Sequence, residues 1–161
     1  MTTPLHRPEL VINYSPQFDL RITLASVQEY DSVSWVEYRF DVDCQLRHPS
    51  GSFTYSASNL CFELQSFARF SEELQGLQQG LKHEAALKNA GDMMILQLAG
   101  DSRMLLATLN IREYLAPSMA TLNATFAVDY DLFVNKLRPE IDRFAEEIRR
   151  VDLADPDWAG H

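Results

Sequence analysis

From Val36 to Leu46 every second residue is apolar. Val36, Tyr38, Phe40, Val42, Cys44 and Leu46 alternate with Glu37, Arg39, Asp41, Asp43 and Gln45, and Trp35 falls on the charged phase. Successive side chains of a strand point to opposite faces, so this run has one apolar face and one charged face. A helix would scatter both sets around its circumference. Unbroken alternation of this length requires a strand, here Ser34–Leu46, in a sheet that buries one face, as antiparallel sheets do.

The flanking segments extend that sheet. Phe18, Leu20, Ile22 and Leu24 alternate with Asp19, Arg21 and Thr23, which predicts a strand from Phe18 to about Gln28, with a turn at Tyr30-Asp31-Ser32. Residues 1–16 carry Pro4, Pro8 and Pro16 and read as an extended arm with a short edge pairing at Leu10–Ile12. His48-Pro49-Ser50-Gly51 is a turn, and Phe53, Tyr55 and Ala57 define a third strand. Short turns make these strands a meander.

The period then lengthens. Leu60, Leu64, Phe67, Phe70, Leu74, Leu77 and Leu81 form one helical stripe, with Ser58, Asn59 or Ser66 available as a cap and Gly80 as a stop. The stripe is expected to pack on the apolar face of the sheet; it is too short for a coiled-coil seam. More strands follow: a short one over His83–Lys88, a turn at Asn89-Ala90-Gly91-Asp92, Met93–Leu98, a turn at Gly100, Met104–Ile111, a link containing Pro117, and Met119–Val128. Met93–Leu96 and Met104–Leu106 are apolar on both phases, which predicts central strands covered on both sides. Phe133, Leu137, Ile141, Phe144 and Ile148 recur at helical spacing, with Asp129 or Asp131 as the cap and Arg149 and Arg150 at the end favoured by the helix dipole. Pro139 leaves two outcomes: one kinked helix, or a short turn before a helix from about Arg138. The two halves echo each other, each a run of strands closed by a helix.

The expectation is therefore a single α+β domain over residues 1–161, with one or two antiparallel meander sheets of about six to eight strands and two amphipathic helices packed against them. Residues 152–161 read as an acidic, flexible tail. The length permits a core without staples. Two cysteines, Cys44 and Cys61, are too few for a disulfide framework, and Cys44 reads as a small buried hydrophobe. No apolar run follows Met1, and none approaches the roughly 20 residues of a membrane span, so a cytoplasmic protein with no membrane partner is expected. The balance is 14 Lys plus Arg against 23 Asp plus Glu, a net charge of −9. That opposes a nucleic-acid backbone as partner and suits a basic protein.

Catalytic chemistry has no local signature. His6, His48, His83 and His161 stand alone, without the paired His or Cys of a zinc site. The six glycines form no phosphate loop, there is no Gly-x-Ser-x-Gly elbow, and Ser66 and Ser71 have no adjacent base. Asp41 and Asp43 point the same way two residues apart, with Glu29 or Asp31 able to approach; such pairs act as acid and base or hold a hard cation, but on an exposed strand they ordinarily form a solvated face. No catalytic, metal or cofactor residues are assigned. Trp35 with Glu37, Arg39, Asp41 and Asp43 has the composition of a protein-binding face, unless a covering layer takes Trp35 into the core.

The plan as a whole resembles the WapI-like immunity proteins of bacterial contact-dependent toxin systems. The likeness spans residues 18–150 and rests on Phe18-Asp-Leu-Arg-Ile-Thr-Leu24, Trp35-Val-Glu-Tyr-Arg-Phe-Asp-Val-Asp43, Gly51-Ser-Phe-Thr-Tyr55 leading into the Leu60–Leu74 stripe, and Phe126-Ala-Val-Asp-Tyr130 before a terminal helix. The Pro-rich arm, Pro139 and the acidic tail depart from it. The resemblance implies a cytoplasmic, non-enzymatic bacterial protein that occludes a cognate toxin, often a nuclease. The alternatives are a small-molecule-binding or enzymatic domain with a pocket between sheet and helix, and an oligomeric scaffold subunit.

Overall fold

The computed structural model describes residues 6–30, 35–115 and 117–151, with Trp35 and Leu115 described by their backbone. The element order is ββββα, twice. The first half is β1 (Glu9–Ser15), β2 (Phe18–Tyr30), β3 (Trp35–His48), β4 (Gly51–Phe62) and α1 (Leu64–Gln78). The second is β5 (Glu84–Lys88), β6 (Met94–Gly100), β7 (Leu105–Leu115), β8 (Ser118–Val128) and a final helix, π-helical over Asp131–Lys136 and continuing as α2 (Leu137–Arg149). Each half contributes one antiparallel four-stranded sheet in chain order. The expected α+β class holds, with eight strands in two sheets.

The chain divides into two compact units that do not coincide with the two halves. The first contains β1–β4 and the chain from Arg143 onward; the second runs from Phe62 to Asp142 and contains α1 and β5–β8. Each sheet is thus grouped with a helix from the other half.

In the first unit the alternation fixes the register. Phe18, Leu20, Ile22 and Leu24 of β2 lie opposite Leu46, Cys44, Val42 and Phe40 of β3. Leu10 and Ile12 of β1 join them opposite Ile22 and Leu20. The expected edge pairing at Leu10–Ile12 is therefore a full strand. Ala25 forms a β-bulge between Leu24 and Ser26, which shifts the phase by one and keeps Val27 buried. The Phe144 ring lies 6.0 Å from that of Phe40, so the last turns of α2 cover the apolar face. Phe144, Ala145 and Ile148 are all buried. Cys44 and Cys61 are thiols rather than a disulfide.

In the second unit α1 buries Phe67, Phe70, Leu74 and Leu77. α1 is grouped with β5–β8. Its expected start is corrected. Leu60 belongs to β4, whose spacing happens to be in phase with the helix, and the helix begins at Leu64 after Glu63, which makes no side-chain cap bond. None of Ser58, Asn59 and Ser66 is the cap. Asn59 instead sits at φ 61, a left-handed conformation that Asn tolerates. The stop at Gly80 is as expected. With φ +69, Gly80 donates to the Leu77 carbonyl (3.1 Å) while the Leu81 N–H reaches the Gly76 carbonyl (2.8 Å), a Schellman closure. Leu81 lies beyond the helix and is exposed.

The strand at His83–Lys88 is confirmed as β5, and β6 and β7 are the central strands of their sheet. β7 is not covered on both sides: Leu106 is exposed, as is Met104 just before the strand, whereas β6 has no exposed residue. Asp129 caps the final helix through the Leu132 N–H (3.0 Å). At Pro139 the helix is continuous, and no turn separates Arg138 from the preceding residues. Proline has no N–H to close its turn and crowds the carbonyl four residues back, and the wide π-helical turn ends just ahead of it at Lys136. Within this unit Ser71 Oγ donates to Asp142 (2.6 Å), Tyr130 to the Leu77 carbonyl (3.1 Å) and Arg138 to Gln75 (3.2 Å), tying α1 to the final helix.

Residues 1–5 of the arm, the turn at Asp31-Ser32 and the tail over 152–161 lie outside the described residues. Among the described residues no helix is long and apolar enough to cross a membrane.

Candidate functional site

The charged face of the first sheet is assembled by the β2–β3 register. Asp19 lies opposite Gln45, Arg21 opposite Asp43 and Thr23 opposite Asp41. Paired residues of antiparallel strands share a face, so the Glu37, Arg39, Asp41 and Asp43 set of β3 is joined by Asp19, Arg21 and Thr23 of β2. Glu9 of β1 completes the row.

The cations here are already engaged. Arg21 Nη1 lies 3.3 Å from Glu9 Oε1, and Arg39 Nε lies 2.9 Å from Glu37 Oε1. The adjacent Glu37 carboxylate raises the Arg39 pKa above its ordinary value, and the Tyr30 hydroxyl donates to the other Glu37 oxygen at 3.1 Å. Asp41 and Asp43 meet neutral donors: the Asn59 N–H at 3.3 Å and the Ser56 hydroxyl at 2.6 Å. Among the described residues Asp19, Asp41 and Asp43 have no ion pair. Asp43 is exposed, and Asp19 and Asp41 are half-buried.

A shallow hollow of about 290 Å³ opens in this face, lined by Asp19, Arg21, Asp43, Gln45 and Thr54. Because Glu9 engages Arg21, the charge the hollow presents comes from its two aspartates. Trp35 stands at the start of β3 opposite Tyr30, and its side chain lies outside the described residues. Glu29 does not approach Asp41, since it pairs with Val36 on the opposite phase; Asp31 lies outside the described residues. Single-strand alternation identified the β3 row, but the β2 contribution needed the register, which depends on both strands together.

A second concavity lies in the second unit, between α1 and the edge strand β5. It measures about 560 Å³; Ser66, Arg69 and Glu73 line it from α1, Lys82, His83 and Lys88 from the β5 side, and Ile95 and Gln97 from β6. Glu73 holds this wall together. One carboxylate oxygen accepts the outward Ala86 N–H of the edge strand at 2.9 Å, and the other faces Lys82 Nζ at 3.7 Å. An edge strand exposes unpaired N–H groups, and Glu73 satisfies one of them. No sequence pattern announced this cleft, because its residues come from the polar flank of a helix and one phase of a five-residue strand.

Among the described residues no cluster of three or more His, Cys, Asp or Glu side chains is arranged to hold a metal ion. No family model matches the chain, and no curated protein matches it. Among solved structures the chain is similar to one described as crystal structures of Trypanosoma bruciei MRP1/MRP2, at 12% identity and a TM-score of 0.41, over 92% of this chain and 90% of that one.

Proposed function

We propose that the chain is a non-catalytic protein-binding domain that occludes a basic partner, in the manner of an immunity protein holding a cognate toxin. The carrying observation is the hollow in the outer face of the first sheet. It presents Asp19 and Asp43, neither of them in an ion pair among the described residues, beside an Arg21 already engaged by Glu9, in a chain of net charge −9. A concave, acidic, partly desolvated patch suits one anchoring Lys or Arg of a partner, and the surrounding field speeds encounter.

The test is affinity capture of the partner from native lysate, followed by association kinetics with the purified pair. Charge reversal of Asp43 and Asp19 to Lys lowers the association rate at low salt by about tenfold or more and flattens its salt dependence. Asp41→Lys has a smaller effect, because Asp41 lies outside the hollow. Association rates unchanged by the double reversal would exclude this face.

A further inference from the structure

The cleft between α1 and β5 has the pocket expected of a small-molecule site, although it lies along the edge of the sheet rather than between its apolar face and a helix. We propose that this cleft binds a small organic phosphate, with Arg69 and Lys88 holding the phosphoryl oxygens.

The chemistry follows from which charges are already committed. The two acidic residues of the lining have structural partners: Glu73 accepts the Ala86 N–H, and Glu84 accepts a Gln97 amide hydrogen at 2.9 Å. The permanent cations Arg69 and Lys88 make neither an ion pair nor a side-chain hydrogen bond among the described residues, and both are exposed. Lys82 lies 3.7 Å from Glu73, beyond hydrogen-bond reach, so its N–H groups remain able to donate. His83 adds an imidazole to the same wall. Three permanent cations thus stand against two committed carboxylates in a protein that is otherwise strongly acidic. Arg offers a planar fork and Lys a mobile point charge, the pair of donors that phosphoryl groups attract.

Size and lining argue for an ester rather than the bare ion. At about 560 Å³ the cleft falls in the range of small-molecule sites. Ile95 and Ala86 give the organic part an apolar floor, and the Gln97 carbonyl remains an acceptor. A nucleic-acid strand is disfavoured, because its affinity needs a continuing row of cations and the net charge of −9 repels a long polyanion. The inference goes beyond the partner-binding reading, and the two sites share no residue.

The experiment is an amide-resolved NMR titration of the full chain at fixed ionic strength. The probes are adenosine 5′-monophosphate, glucose 6-phosphate, inorganic phosphate, adenosine and a single-stranded oligonucleotide. At least one of the two esters should saturate, with shifts confined to residues 66–73, 82–88 and 95–97, and bind more tightly than inorganic phosphate, while adenosine leaves the spectrum unchanged. Arg69→Gln and Lys88→Gln should each weaken binding about tenfold, the loss of one charge-assisted contact. Their unchanged apo spectra establish that the fold is intact, and Arg112→Gln, an exposed cation of β7 outside the cleft, should bind normally. Failure of both esters to saturate, shifts centred elsewhere, inorganic phosphate binding as tightly as the esters, or tighter binding of the oligonucleotide would each overturn the proposal.

Discussion

Replacing Gly100 by Ala tests the tightest point of the second sheet. Gly100 closes β6 at φ +133, a conformation open almost only to glycine, so a side chain there costs about 1–3 kcal/mol in backbone strain alone. A Cβ at this position would stand 2.0 Å from the Met104 carbonyl oxygen. That oxygen is backbone, so no side chain can rotate away to relieve the contact. It also accepts the Asp101 N–H at 3.0 Å, and Gly100 itself donates to the His83 carbonyl at 2.9 Å. Moving the hairpin aside stretches these bonds, adding about 1 kcal/mol. The expected total is about 2–4 kcal/mol, read as a fall of about 1–2 M in the urea midpoint of the far-UV circular dichroism signal. Gly91→Ala is the control. Gly91 has φ +84 with no atom within 4 Å of a Cβ, so it bears only the backbone term of about 1–2 kcal/mol. A Gly100→Ala protein as stable as Gly91→Ala would refute the steric part of the reasoning; one as stable as the parent would refute all of it.

Three further outcomes follow from the same geometry. Asn89 is buried and its side-chain oxygen accepts the Met94 N–H at 2.7 Å, so Asn89→Ala leaves that donor unsatisfied and lowers unfolding stability by about 1–3 kcal/mol in the same urea assay, whereas a loss below the error of the fit would show the hairpin relaxing around it. Burial, helped by nearby Asp19, pushes the Cys44 thiol up to about 12, so at pH 8 a thiol reagent modifies Cys61 well before Cys44, and denaturant makes the rates converge; equal native rates by peptide mapping would contradict this. The backbone N–H groups of Arg103 and Met104 hold the Asp101 carboxylate below the ordinary aspartate range. A depressed folded pKa means that its support of the β6–β7 turn is present above the ordinary value and lost as pH falls through the lowered one. NMR titration of the Arg103 and Met104 amides should therefore show a midpoint below that range, and Asp101→Asn should abolish the transition.

The strands were legible because two-residue alternation is a local property. β3 was read to within two residues at either end, and β8 to within one. What escaped local reading was set by geometry that a single segment does not contain. Ala25 breaks the β2 alternation, and only the pairing partner shows that it is a bulge. Leu60 and Leu64 are four apart, so a strand residue mimicked a helical one until the chain conformation at Asn59 and Glu63 separated them. Pro139 permitted two outcomes locally, and the helix proved continuous. The candidate face was half legible for the same reason: Glu37, Arg39, Asp41 and Asp43 share one strand, whereas Asp19 and Arg21 join them through register. The cleft was not legible at all, because α1 meets β5 by tertiary packing.

The exchange of helices between halves has a consequence for synthesis on the ribosome. The sheet of β1–β4 is complete in sequence at Phe62, but the residues grouped with it resume only at Arg143. At roughly 5–20 residues per second, the 80 residues between those positions take about 4–16 s to emerge. For that interval Phe40 and its neighbours lack Phe144, while hairpins form in microseconds. The nascent sheet therefore lacks the cover of Phe144 until the chain from Arg143 onward has emerged. A ribosome stalled before residue 143 holds that sheet without the side chains of Phe144, Ala145 and Ile148.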